Sequence, residues 1–104
     1  MQRIAFLMKL KAGREEEYLR RHNEIWPEML ETLKKAGISN YNIYLNGLQL
    51  IATLEVENFN YMTEYLANDP TAARWEESMK ENIERDVDPE KNFPALLPQM
   101  FHMD

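Results

Sequence analysis

The sequence predicts an α+β sandwich, an antiparallel four-stranded sheet with helices on one face, and three observations carry that expectation. Segments of strand period and helix period alternate in the order β, α, β, β, α, β. An Asn46-Gly47 pair stands between two β-rich runs, the strongest short-range hairpin signal. A long helical stretch ends on Lys34-Lys35 and Gly37 directly before the first of those runs. With 104 residues, the chain is expected to form one domain spanning 1–104.

Residues 3–10 alternate, Ile4, Phe6, Met8 and Leu10 against Arg3, Ala5, Leu7 and Lys9, which predicts the first strand. Residues 14–36 open with Glu15, Glu16 and Glu17, where the helix dipole favours negative charge, and predict a long helix. Pro27 removes a backbone donor and disfavours α conformation at Trp26, so a kink or break is expected near Ile25 and Trp26. The runs within 39–57 predict a hairpin. With Asn46 and Gly47 as its loop, Leu45 faces Leu48, and Tyr41, Ile43, Leu45, Leu48, Leu50, Ala52 and Leu54 share one face. A short helix is expected at about 58–67. Asp69-Pro70 reads as an N-cap and first helical residue, opening a helix to about Arg85. Residues 88–98 are expected to cross irregularly, and Gln99 to Met103 to form the closing strand.

The order fits a ferredoxin-like sandwich, whose uncovered sheet face here carries Ala5, Leu7, Tyr44 and Ile51 among polar residues. Such a patch is too apolar to leave to water, and face-to-face homodimerisation is expected.

Composition narrows the function. Twelve Lys and Arg against 18 Asp and Glu give a net charge of −6, which argues against nucleic-acid or anionic-membrane partners. Small neutral ligands and protein partners remain. Cysteine is absent, so no thiolate nucleophile or disulfide framework exists. The apolar run Ile4 to Leu10 is too short for a signal peptide or membrane span, and a cytoplasmic location is expected. His22 and His102 lie at opposite ends of the chain, with no metal-binding spacing. No phosphate-binding glycine loop or nucleophile elbow occurs, so any activity must run on ordinary side chains, with no cofactor and no metal.

The first long helix is the informative stretch. Its inner stripe is read through Leu19, His22, Trp26, Met29 or Leu30, and Leu33. Tyr18 at i−4 and Trp26 at i+4 project near His22, so a hydroxyl, an imidazole and an indole can line one wall. An imidazole exchanges protons near neutral pH, and aromatic faces pack against the C–H faces of a sugar ring. His22 can equally be a core histidine bonded to a backbone carbonyl, and Tyr18 and Trp26 plain core. Tyr41 falls on the face with Ile43 and Leu50 and can meet His22. In the later helix, Ala72, Glu76, Met79 and Ile83 form a stripe with Trp75 alongside. Glu76 then either reaches the pocket or, if the stripe is rotated, lies on the rim.

Glu17-Tyr18-Leu19-Arg20-Arg21-His22-Asn23-Glu24-Ile25-Trp26-Pro27-Glu28, Asn40-Tyr41-Asn42-Ile43-Tyr44-Leu45, Arg74-Trp75 and the Phe101-His102-Met103 end together resemble the L-rhamnose mutarotase family. The resemblance covers nearly the whole chain, and its specific part is the Tyr-x-x-x-His-x-x-x-Trp-Pro block. It implies a homodimeric, cofactor-free isomerase of ferredoxin-like fold that interconverts the α and β anomers of L-rhamnose in bacterial rhamnose catabolism. It further implies His22 as proton donor and Tyr18 and Tyr41 as sugar contacts. The family commonly has two adjacent tryptophans after the basic residue of the last helix. Here the first is Trp75, expected as a stacking wall, and the second position departs from the pattern and holds Glu76. As a substrate contact Glu76 could pair with His22 or accept the anomeric proton, a role the usual tryptophan could not perform. Two alternatives use the same dimeric scaffold, a cofactor-free monooxygenase and a module that binds a small molecule without chemistry.

Overall fold

The computed structural model describes residues 1–84 and 93–104. Strand β1 (Gln2–Leu10) is followed by helices α1 (Glu15–Asn23) and α2 (Pro27–Lys35), the hairpin β2 (Ile38–Asn46) and β3 (Gln49–Val56), helices α3 (Phe59–Asn68) and α4 (Pro70–Met79), and the short strand β4 (Ile83–Glu84). The sheet order is β2-β3-β1-β4, and β1–β3, β1–β4 and β2–β3 are all antiparallel. This is the expected ferredoxin-like arrangement, with each helical layer element divided in two.

The division of the first helix occurs where Pro27 requires it. Trp26 is extended, at φ −61° and ψ 136°, and caps α2 with Pro27 at the first helical position. The Trp26 carbonyl accepts from the backbone N–H of Met29 and Leu30, so the break costs little hydrogen bonding. Because the helical phase is reset here, the stripe read through Leu19 does not persist. Leu19 is exposed, and Tyr18 is the side chain that α1 buries.

The hairpin also departs from expectation. Asn46 pairs with Gln49 and Leu45 with Leu50, so the loop is Gly47-Leu48 rather than Asn46-Gly47. Gly47 takes φ 64°, the left-handed value that the first loop position of a type II′ turn demands. A bulge lies further along β2. Ser39 pairs with Glu55 and Asn42 with Thr53, leaving Asn40 and Tyr41 opposite Leu54 alone. Asn40, at φ 49°, absorbs the extra residue. The shift lets Ile38 and Tyr41, three apart and so on opposite faces of a regular strand, both turn towards the helices.

Helix α4 stops at Met79, before the expected Arg85. The Asn82 N–H bonds to the Met79 carbonyl, and Ile83 and Glu84 enter the sheet beside Leu10 and Lys9. Residues 99–103 form no strand. The rest of that sheet edge is occupied by Leu96, bridged to Phe6, and by the Leu97 N–H, which donates to the Ala5 carbonyl at 2.8 Å. Hydrophobicity alone did not distinguish which apolar segment would take this edge. Residues 88–92 of the irregular crossing expected at 88–98 lie outside the described residues.

The sheet face towards the helices is almost continuously buried, through Phe6, Leu10, Leu50, Ala52, Leu54 and Val56. One core cluster joins Phe6, Ala52, Leu54 and Val56 to Ala36, Ile38, Phe59 and Met62. A second, at the β4 end, joins Leu10 and Leu50 to Tyr18 of α1 and Met79 of α4. The opposite face leaves Leu7 and Tyr44 exposed. No described helix is long and apolar enough to cross a membrane.

Candidate active site

The second core cluster is the floor on which the site is built. Leu10 and Leu50, with Met79 beside them, bury the Tyr18 ring, and Met8, Ile43 and Trp75 pack around this group. One helical turn later His22 lies over Tyr18, ring centroids 4.2 Å apart and planes 29° from parallel. Trp75 of α4 closes the other side, edge to face with His22 at 5.3 Å and 84°. The imidazole is thus held between two aromatic rings from different elements. Trp26 meets Trp75 at 5.2 Å and 88°. It therefore backs the Trp75 wall from outside α1, instead of projecting from the same helix face as His22.

His22 Nδ1 lies 3.0 Å from the Tyr18 carbonyl oxygen. A carbonyl can only accept, so Nδ1 carries a hydrogen and donates it, and in the neutral ring the lone pair is at Nε2. Burial holds the imidazole pKa below its ordinary 6.5, and the bond to Tyr18 opposes this only in part. At neutral pH the resting ring is therefore uncharged, with a basic nitrogen turned away from its anchor. Of the two readings open for His22, the structure shows the carbonyl-bonded one at Nδ1, and this bond leaves Nε2 out of the contact.

The bulge delivers Tyr41 to this place. The residue keeps 37% of its surface open, yet the protein around its hydroxyl pushes the phenol up to about 12. Burial likewise drives the Tyr18 phenol far above its usual range, and the neighbouring Tyr41 raises it further. Both hydroxyls stay protonated at physiological pH.

Glu76 lies on the exposed side of α4. The buried stripe of that helix is Ala72, Trp75 and Met79, rotated from the one read through Glu76, so the rim position is the one adopted. A further cleft of about 710 Å³ runs along the outer side of Trp26 and Trp75, bounded by Arg20, Glu24, Glu77 and Glu81. Neither His22 nor either tyrosine lines it. Among the described residues, no group of three His, Asp or Glu side chains could hold a metal ion.

Polar ties that the sequence reading missed fix α1 against α4. Arg21 Nε donates to Glu17 Oε1 at 2.8 Å, and its two terminal nitrogens reach the Ser78 carbonyl and Glu81 across the gap. Arg14 Nε donates to Oδ1 of the fully buried Asn82 at 2.8 Å. Only the Glu17–Arg21 spacing of four was visible in the sequence.

Fold and site together define a small α+β protein in which a neutral imidazole, two protonated phenols and an indole wall converge. A family model described as L-rhamnose mutarotase matches residues 3–103, and the chain belongs to the L-rhamnose mutarotase family, anomer-interconverting isomerases. An L-rhamnose mutarotase of Mesorhizobium japonicum is 39% identical over 106 residues, covering 98% of this chain and 97% of the relative. One of Oceanobacillus iheyensis is 35% identical over the full length of both. The crystal structure of L-rhamnose mutarotase from Formosa agariphila superposes with a TM-score of 0.82 at 30% identity, covering all of both chains. The alternatives of an oxygenase or a binding module gain no support from these relatives.

Proposed function

We propose that this protein interconverts the α and β anomers of L-rhamnose, with His22 Nε2 as the proton-transfer atom. Opening the pyranose moves one proton from the C1 hydroxyl to the ring oxygen as the bond between C1 and that oxygen breaks. Closing on the other face of the aldehyde reverses this. Both oxygens are bonded to C1, so one imidazole nitrogen can serve both. Neutral His22 takes the hydroxyl proton as base, and the imidazolium, made more acidic by burial, delivers it to the ring oxygen.

Tyr18 and Tyr41 are too weakly acidic to be the proton source, since burial raises both. Their hydroxyls bind and orient the sugar, and Trp75 offers its face to the ring C–H groups. Glu76 stays at the rim beside Trp75, where it can touch an outer hydroxyl. No electron or group carrier is needed. Exposed Leu7 and Tyr44 on the uncovered sheet face support a homodimer formed through that face, and the net charge of −6 suits a neutral cytoplasmic substrate.

The carrying observation is the imidazole clamped between Tyr18 and Trp75 with Nδ1 occupied and Nε2 left for chemistry. Exchange NMR of the anomeric protons of L-rhamnose tests it. The protein is expected to accelerate anomer exchange, and His22→Ala to abolish that acceleration while keeping the fold. Equal rates with and without the wild-type protein refute the activity, and undiminished exchange in the variant refutes the site.

A further inference from the structure

We infer that Arg21 is a positioning residue that sets the distance between His22 and Trp75, and so the productive geometry of the imidazole; this rests on the assignment of His22 given above. Helix α1 carries both Tyr18 and His22, but it is nine residues long and Tyr18 is the only side chain it buries. Apolar packing fixes it at one point, and a short helix fixed at one point can pivot. Its orientation is completed by the two polar ties, Arg14 to Asn82 before its first turn and Arg21 to Ser78 and Glu81 in its last.

Arg21 is adjacent to His22 in the chain, and its grip lies close to Trp75. The Ser78 carbonyl that it holds belongs to the residue whose hydroxyl donates to the Trp75 carbonyl at 2.7 Å. The guanidinium thus spans from the residue beside the imidazole to the turn that carries the opposing indole. Its planar fork also holds Glu17 Oε1 at 2.8 Å, which orients it along α1. Without this tie, α1 is left to swing about its Arg14 end. His22 lies eight residues on, about 12 Å at the helical rise, so a swing of about 5° displaces the ring by about 1 Å. A misplacement of that size costs about a hundredfold in a reaction that depends on aligned proton transfer.

The test compares Arg21→Met and Arg21→Lys with wild type in anomer-exchange NMR over a range of L-rhamnose concentrations, and follows the His22 ring nitrogens through a pH titration of the sugar-free protein. For Arg21→Met, kcat is expected to fall by roughly ten- to a hundredfold with KM within about threefold. The His22 midpoint should move up towards 6.5 as the ring loosens from its aromatic sandwich. Arg21→Lys keeps the charge but not the fork, and should lie between the Met variant and wild type. A folded Met variant with kcat within about twofold of wild type overturns the inference, as does a rise in KM with kcat unchanged. If Arg21→Met loses its cooperative unfolding transition, Arg21→Lys decides by the same split of kcat against KM. If the wild type itself proves inactive, the proposed function fails. The midpoint in Arg21→Lys, which keeps the charge beside His22, then still decides the positioning claim: an upward shift supports it and an unmoved midpoint overturns it.

Discussion

Asp69 holds two helices with one carboxylate, and removing it should cost more than an ordinary cap. Its Oδ2 accepts the Ala72 N–H at 3.0 Å as the N-cap of α4, and the Thr32 hydroxyl of α2 at 3.1 Å. Thr32 is 5% exposed. In Asp69→Ala the lost cap costs about 1 kcal/mol, and the hydroxyl stranded at a buried position adds about 1–2 kcal/mol. The sum, about 2–3 kcal/mol, should lower the urea midpoint by about 2 M at the slope of 1–1.5 kcal/mol/M typical of a chain this size. Thr32→Val alone should cost about 1 kcal/mol, because half-buried Asp69 keeps its bond to Ala72. The double variant should then cost about 2 kcal/mol, well short of the sum of the singles, since it strands no hydroxyl. Urea unfolding followed by tryptophan fluorescence at one fixed protein concentration measures all three. Additivity within about 0.3 kcal/mol, or a loss below about 0.5 kcal/mol for Asp69→Ala, would refute the claim that this carboxylate links α2 to α4.

The pH dependence of activity should carry the depressed His22 pKa. As base the imidazole must start neutral, so exchange should hold its plateau as pH falls through 6.5 and decline only below it; an acid limb centred above 6.5 contradicts burial as the dominant influence. The same depression makes stability fall with acid, because below the unfolded value of 6.5 the unfolded chain binds the proton first. Tyr41→Phe removes one hydroxyl contact and no proton carrier. It should lower kcat/KM about tenfold, the equivalent of about 1.4 kcal/mol, with the shape of the pH profile unchanged, as read by exchange NMR across pH. A shifted limb in that variant would make Tyr41 part of the proton path.

The legible parts of the fold were those with a local physical cause. Pro27 and its effect on Trp26 fix the break in the first helix, and Asp69-Pro70 starts α4 where the side chain caps Ala72. The Tyr18–His22 pairing followed from helical spacing and is seen as a 4.2 Å stack. The hairpin was legible as a hairpin, but its loop was displaced by one residue. Either choice satisfies the alternation of apolar residues near the turn, and pairing with β1 along the whole of β3 fixes the register. Glu76 was ambiguous for a similar reason. A stripe of three or four positions fits two rotations of a short helix, and the choice falls to whether Trp75 or Glu76 loses water, which favours the indole.

By itself, the sequence determined the α+β class, the order of elements up to the last sheet edge and the one-turn spacing of Tyr18 and His22, because capping, proline geometry and side-chain period act over a few residues, and its motifs carried the family resemblance. Tertiary structure decided which apolar segment takes the last sheet edge, Ile83–Glu84 with Leu96 rather than residues 99–103. It also decided that the Asn40 bulge turns Tyr41 inward and that Trp75, not Trp26, closes over the imidazole. The clamp of Arg21 on Ser78 and Glu81 joins residues 57 and 60 positions apart. Each of these outcomes compares free energies between surfaces distant in the chain, and such a comparison exists only once the helices and the sheet have met.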